Sequence, residues 1–347
     1  MFKKICEVSA FKRENKTVDI VKRLGVITAD KIHLKKYPKD NPVTAFNPGM
    51  VLVDGELKIY ARIVLGYFTY ASAVAEITIP IEEIENSNTF PGHYSAEIVV
   101  FPDNRYDIWG VEDPRVYKLD DKIMMTYCGR TVSYFDPSIR VERTLPVTAY
   151  KEGRKWRKVC VFRMPHETRN FVVSDKDAFL VKTKDGYKLF HRPHLKDENF
   201  YLTISDVDGD GDICKDGLKE AIIRNTVVAY ESAEFEDKIG WGTPPIKIDS
   251  EYLFFIHAVD SELKFYKVFA LLMNENLEVV SVSPYYIMEP REIYEVYGDR
   301  PYTIFPCGAE LIDDRIIISY GAADSAVGLG EIRVDEIMSI MDKNRCD

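Results

Sequence analysis

No stretch of the 347 residues approaches the ~20 consecutive apolar positions that a membrane-spanning helix needs, so no transmembrane segment is expected. The start, MFKKICEVSAFKREN, carries charge but no long apolar core, which argues against a secretory signal. No run of Lys or Arg occurs. With 46 basic against 56 acidic residues, the net charge of −10 repels nucleic acid and anionic membranes alike. Cysteine is scarce: Cys6, Cys128, Cys160, Cys214, Cys307 and Cys346 lie far apart, with no C-x-x-C pair. That spacing excludes a zinc ribbon or a disulfide frame and suits reduced thiols in the cytoplasm. Linkers rich in Pro, Gly and Ser are also missing, so residues 1–347 read as one domain. Helical patterning is confined to RVDEIMSIMDKN near the C-terminus, which predicts one short helix.

What the chain has instead is β patterning and a repeat. Aromatic residues make up 12%, including 21 Tyr, a composition that suits strands and also suits stacking on sugar faces. Five segments look alike: NPGMVLVDGELKIYAR from Asn47, EDPRVYKLDDKIMMTYCGR from Glu112, KDAFLVKTKDGYKLFHR from Lys176, TPPIKIDSEYLFFIHAVD from Thr243 and PCGAELIDDRIIISYGAAD from Pro306. Each reads as an alternating strand and a more apolar strand joined by a turn, at Asp54-Gly55, Asp120-Asp121, Asp185-Gly186, Asp249-Ser250 and Asp313-Asp314. The starts are ~65 residues apart, with room for two further strands such as SAVAEITIP and LPVTAYKEGRKW, which is the size of a propeller blade. The expectation is an all-β, five-bladed β-propeller over roughly residues 40–335, with terminal extensions 1–39 and 336–347.

A propeller brings equivalent positions of its blades to one central channel. The hairpin entries carry Asn47, Glu112-Asp113, Lys176-Asp177 and Thr243; the ends of the second strands carry Arg62, Arg130, His191-Arg192, His257 and Asp324. A single such charge is ordinarily a solvated strand end. Coincidence in phase across the repeat instead predicts a cavity shared by carboxylates and cations.

The same residues resemble the signature of glycoside hydrolase family 130, the mannoside phosphorylases and their hydrolytic relatives. The resemblance rests on GVEDPRVYKLDDKIMMTY together with FNPGMV, KDAFLV, LFHRP, KIGWGTPPI, YEVYGDRPYTIFPCGAEL and ISYGAADSAVGLGEI, in that order over roughly residues 40–335. It implies the five-bladed propeller, an inverting phosphorolysis of β-mannosides giving α-mannose 1-phosphate, and Asp113 as the single catalytic acid. It implies a phosphate site at Arg130, Arg143, Lys176 and His191, and mannose-binding roles for Asn47, Arg62 and Asp324. Of these, YCGRTVSYFDPSIRVERTLPV departs in length from the family pattern around the two arginines. The partners so implied are a β-mannoside oligosaccharide and inorganic phosphate as co-substrate, with no metal or organic cofactor; a homo-oligomer is left open.

An inverting glycosidase needs a second carboxylate to deprotonate water, whereas phosphate arrives as an anion and needs cations to hold it. Asp113 must then keep a proton near neutral pH, which Trp109 and Glu112 would favour and Arg115 would oppose. Two other readings stand beside this one: a β-mannoside hydrolase on the same scaffold, and a carbohydrate-binding propeller without catalysis. Outside the family pattern, SDVDGDGDICKDG spaces Asp206, Asp208 and Asp210 like the start of a calcium loop, but the twelfth position is Gly217 where a bidentate Glu is needed, and a solvated acidic turn is the expected reading.

Overall fold

The computed structural model describes residues 2–5, 12–67, 71–86, 90–207, 213 and 217–346. The period-two segments become antiparallel meanders. Thr44–Val53, Glu56–Val64, Ser72–Pro80 and Tyr94–Val100 pair in sequence order. Val111–Leu119, Lys122–Arg130, Thr144–Glu152 and Lys155–Arg163 do the same, as do Val172–Thr183, Gly186–Leu195, Leu202–Val207 and Lys219–Tyr230. Next, Glu251–Asp260 takes Glu236–Trp241 and Ile246–Ile248 on one edge and Tyr266–Met273 on the other, with Val279–Val282 outermost. Ile304–Ile312, Arg315–Ala322 and Ala326–Arg333 complete the series.

The hairpin turns form where aspartate permits them. Asp54, Asp120, Asp249 and Asp313 adopt φ of 50°, 52°, 53° and 54°, a left-handed conformation that Asp tolerates better than most residues. At the third hairpin the turn falls one residue before the expected position, at 184–185, with Gly186 already opening the next strand. The C-terminal helix is present at Val334–Lys343.

The inner strands pack side by side: Thr44–Val53 lies against both Val111–Leu119 and Ile304–Ile312, and Val111–Leu119 also lies against Val172–Thr183. Glu236–Trp241 contacts Val172–Thr183, and Ile246–Ile248 contacts Ile304–Ile312, so the circuit returns to its start. Aromatic rings lock one of these seams: buried Trp241 meets Phe179, Phe190 and Phe254 at centroid distances of 6.2, 4.9 and 5.3 Å.

Two features depart from the expected boundaries. The sheets do not all stay separate: Cys160–Arg163 pairs in parallel with Lys219–Ile222, which fuses two meanders into one nine-stranded sheet and covers an otherwise open strand edge. Residues 1–39 are not a mere extension either. Lys22–Thr28 pairs antiparallel with Ala326–Arg333, so an N-terminal strand completes the meander that the C-terminal segment begins. No helix of the described residues is long and apolar enough to cross a membrane.

Candidate active site

Three inner strands carry the same irregularity at the same place. The pairing register shifts between Phe46 and Gly49, between Glu112 and Arg115, and between Lys176 and Phe179. Inside each shift one residue is left-handed: Asn47 at φ 47°, Asp113 at 49° and Asp177 at 53°. Asn and Asp are the side chains that accept this conformation most readily, and a bulge re-aims them out of the strand's alternation. All three side chains line one cavity of about 450 Å³. Close strand approach leaves little latitude here, since a Cβ on Gly49 would stand 2.5 Å from the Pro114 carbonyl oxygen.

Asp113 is 6% exposed. Its Oδ1 accepts hydrogen bonds from Asn47 Nδ2 at 2.8 Å and from an Arg62 guanidinium nitrogen at 2.9 Å. Its Oδ2 has no hydrogen-bond partner among the described residues. The main chain beneath is pinned by Arg115, which donates to the Asp113 carbonyl oxygen at 2.8 Å, to the Gly242 and Trp241 carbonyls, and to Asp177 Oδ1 at 3.2 Å. Arg115 therefore holds the Asp113 backbone, not its carboxylate as expected. The other expected neighbours also act differently: Trp109 is 38% exposed, and the charge of Glu112 is taken up by cations.

Glu112 is fully buried and is the hub of the network. Arg130 Nε donates to it at 2.7 Å, Lys176 Nζ at 3.1 Å, and Arg62 lies 3.4 Å away; the Tyr134 hydroxyl also donates to it. Burial pushes the Glu112 carboxyl up, but Lys176, Arg62 and Arg130 outweigh it and hold the group well below the usual carboxylate range. Three cations thus converge on one carboxylate beside Asp113. Asp177 is likewise ionised, because Arg192, His257 and Arg115 overcome its burial. Burial lowers His257 to about 4, and its Nε2 lies 3.4 Å from Asp177 Oδ2.

Asp324 faces the same cavity from a turn in which Ala323 and Asp324 are both left-handed, at φ 48° and 50°. The turn is held by Thr44, whose hydroxyl donates to the Asp324 carbonyl at 3.1 Å, and by the Ala323 N–H bonded to Thr303 at 2.8 Å. Burial raises the Asp324 carboxyl to about 6, with Arg62 opposing and Asp113 adding to the shift.

Asp113, Arg130, Lys176, Asn47, Arg62 and Asp324 are therefore brought together as expected. Arg143 and His191 are not. Arg143 spends its guanidinium on the main-chain oxygens of Ser133, Asp136 and Ile139 and so braces the loop that carries Tyr134. His191 is completely buried between Asp175 and Ser205, at 2.8 Å from each. Its neighbour Arg192 faces the cavity instead, as strand alternation requires. The repeat does not mark Tyr134, Lys238 and Arg300, since they come from connecting segments and a short edge strand; Lys238 lies within KIGWGTPPI and Arg300 within YEVYGDRPYTIFPCGAEL, two of the motifs that carry the family resemblance. Of the candidate calcium residues, Asp208 and Asp210 lie outside the described residues, and Asp206 is engaged by Lys188 and by Asn225 at 2.7 Å. Among the described residues no group of three His, Cys, Asp or Glu side chains is arranged to hold a metal ion.

A family model described as beta-1,4-mannooligosaccharide phosphorylase matches residues 11–343. The chain belongs to glycoside hydrolase family 130. The match begins well before residue 40, in keeping with the structural role of the strand Lys22–Thr28. Relatives in the family include a 1,2-beta-oligomannan phosphorylase of Thermoanaerobacter sp. (strain X514), 26% identical over 69% of this chain and 73% of its own length. Another is a beta-1,4-mannooligosaccharide phosphorylase of Ruminococcus albus, 28% identical over 66% of this chain and 65% of its own. A solved beta-1,2-mannobiose phosphorylase from Listeria innocua superposes with a TM-score of 0.71 at 18% identity, covering 93% of this chain and 99% of that one, which shows the family 130 fold.

Proposed function

We propose that this protein is an inverting phosphorylase of β-mannosides, in which phosphate displaces the leaving sugar and α-mannose 1-phosphate is formed. The observation that carries the reading is the convergence of Arg62, Arg130 and Lys176 on the single carboxylate of Glu112, directly beside Asp113. Arg130 and Lys176 meet only this carboxylate, while Arg62 is shared with Asp113, and the cluster keeps a local positive excess that favours an anionic nucleophile when Asp113 carries its proton. Glu112 itself is held ionised far below neutrality and is a poor base for activating water.

In this reading the mannose ring lies over Asn47, Arg62 and Asp324, with the carboxylate of Asp324 accepting sugar hydroxyls. Phosphate binds at Arg130 and Lys176. One phosphate oxygen attacks the anomeric carbon as the bond to the leaving oxygen breaks. Asp113 gives its proton to that oxygen, through a mannose hydroxyl as the family resemblance implies. Asp113 Oδ1 is occupied by Asn47 and Arg62, so Oδ2 carries the proton. The reaction uses no metal or organic cofactor. The meanders of the fold are the blades of a five-bladed propeller, two of them joined by the parallel pairing at Cys160–Arg163. The test is incubation with mannobiose, with and without phosphate. Mannose 1-phosphate appearing only with phosphate supports the reading; free mannose forming equally fast in both tubes refutes it.

A further inference from the structure

The mechanism above uses one side of the cavity. The other side holds a second group of cations: Arg192, Lys238 and Arg300. Arg192 donates to Asp177, but Asp177 is already shared with Arg115 and His257. Lys238 and Arg300 form no ion pair with any described residue. Their neighbours are ring faces: Lys238 Nζ lies 4.8 Å from the Phe200 centroid, and the Arg300 guanidinium carbon 4.6 Å from that of Tyr266. Of the nearby acids, exposed Asp299 and cavity-facing Asp324 form no ion pair with either, though Arg300 acts on the Asp324 carboxyl through space. The cations also repel one another: burial, then Arg192 and Arg300, lower Lys238 to about 8. Clustered cations short of counter-charge are a cost to the folded protein, and such costs concentrate where a ligand relieves them.

Their place in the circuit says which ligand. Displacement with inversion puts nucleophile and leaving group on opposite faces of the anomeric carbon. Arg130 and Lys176 come from the meanders beginning at Val111 and Val172, whereas Lys238 belongs to the strand Glu236–Trp241 and Arg300 to the loop entering Ile304–Ile312. Phosphate at the first pair leaves the second pair facing the departing sugar. Phe200 and the buried Tyr266 back the two cations, which offer that sugar charge.

Resting on the reading under Proposed function, we propose that the leaving-group sugar is anionic, bearing a phosphate monoester or a carboxylate that Lys238 and Arg300 bind.

The test runs the reaction in the synthetic direction, with α-mannose 1-phosphate as donor and a neutral hexose, a hexose 6-phosphate or a hexuronic acid as acceptor. At least one anionic acceptor is expected to have a KM about tenfold or more below that of the neutral hexose, and the two anionic arms distinguish phosphate from carboxylate. The advantage shrinks as salt is raised. In Arg300→Gln, and further in the double variant with Lys238→Gln, the anionic-to-neutral selectivity falls about tenfold or more, without a matching rise in the KM for phosphate during phosphorolysis. Arg300 is exposed, so the single variant keeps the test open if the double variant folds poorly. Equal KM values for neutral and anionic acceptors overturn the inference while leaving the phosphorylase reading intact. A rise in phosphate KM that exceeds the loss of acceptor selectivity also overturns it, because the cluster would then be the phosphate site. Failure to consume the donor with every acceptor overturns both.

Discussion

Replacing Glu112 by Gln removes the one carboxylate that Arg62, Arg130 and Lys176 share, and tests the network at its centre. The amide fills the same space, so packing is preserved while Arg130 and Lys176 lose their counter-charge and Arg62 keeps only Asp113. Stripping one member from a buried ion pair costs about 3–5 kcal/mol. Lys176 keeps a quarter of its side chain exposed, so solvent screens part of the effect and the lower half of that range, about 3–4 kcal/mol, applies here. An unfolding entropy near 2.1 cal/mol/K per residue gives roughly 0.7 kcal/mol/K for a chain of this length, so the melting temperature should fall by about 4–6 °C in a phosphate-free buffer.

Phosphate should then recover part of the loss. In the variant it meets the same cations without a neighbouring anion, and its affinity should rise by about tenfold, adding about 1.4 kcal/mol of stabilisation over that of wild type at saturation. Thermal scans of both proteins against phosphate concentration read this directly: the phosphate-induced rise in melting temperature should be about 2 °C larger in Glu112→Gln. Turnover should drop, because Arg62 and Arg130 lose the group that orients them. A variant that melts with wild type in phosphate-free buffer, or that gains less from phosphate than wild type does, would show that Glu112 is not the charge holding the cluster together.

Asp113→Asn should lower kcat by about a thousandfold while leaving mannoside binding measurable by calorimetry, since general acid catalysis contributes about 10²–10⁴; retained turnover would assign the proton to another group. Lys176→Met should raise the KM for phosphate by about ten- to a hundredfold. His191→Gln, by contrast, should cost about 1–3 kcal/mol of stability through its lost bonds to Asp175 and Ser205 without raising that KM, a difference read from phosphorolysis rates and melting curves. For Asp324, burial raises the folded carboxyl to about 6 from 3.8, so the protonated form is the one that folding favours. The associated stability is complete below about pH 4 and is lost as pH rises through 6. Asp324→Asn should therefore be more stable than wild type at pH 8, by on the order of 2–3 kcal/mol, match it at pH 4, and bind mannosides more weakly; an Asn variant less stable at pH 8 would contradict the shift.

What the sequence made legible follows from which rules are local. Alternation and Asp-containing turns act over a few residues, and the hairpins formed where they predict, one turn apart from its expected place by a single position. Non-local pairing was invisible: nothing in the Lys22–Thr28 segment marks Ala326–Arg333 as its partner, and nothing in Cys160–Arg163 announces a parallel neighbour. The site divides along a finer line. His191 and Arg192 are adjacent in a regular strand, so only one of them can face the cavity, and His191, the one named by the resemblance, is turned away from it. Glu112 and Asp113 are adjacent too, yet both line it, as do Phe46 with Asn47 and Lys176 with Asp177.

The difference is the bulge. A left-handed residue at 47, 113 or 177 interrupts the pleat and lets consecutive side chains point the same way. Two of the three carry a sequence mark, an Asn or Asp directly before Pro at 47–48 and 113–114, where the conformational leaning of the first residue coincides with a break in strand hydrogen bonding at the second. The acid is thus set beside its neutralised neighbour by backbone geometry, not by side-chain contacts alone. An Asp113→Glu change, which keeps the carboxyl but resists φ near 49°, should accordingly lose most activity even though its longer side chain could still reach Asn47 and Arg62. Near-wild-type turnover in that variant, measured as mannose 1-phosphate release, would mean that the carboxyl alone matters and the bulge does not.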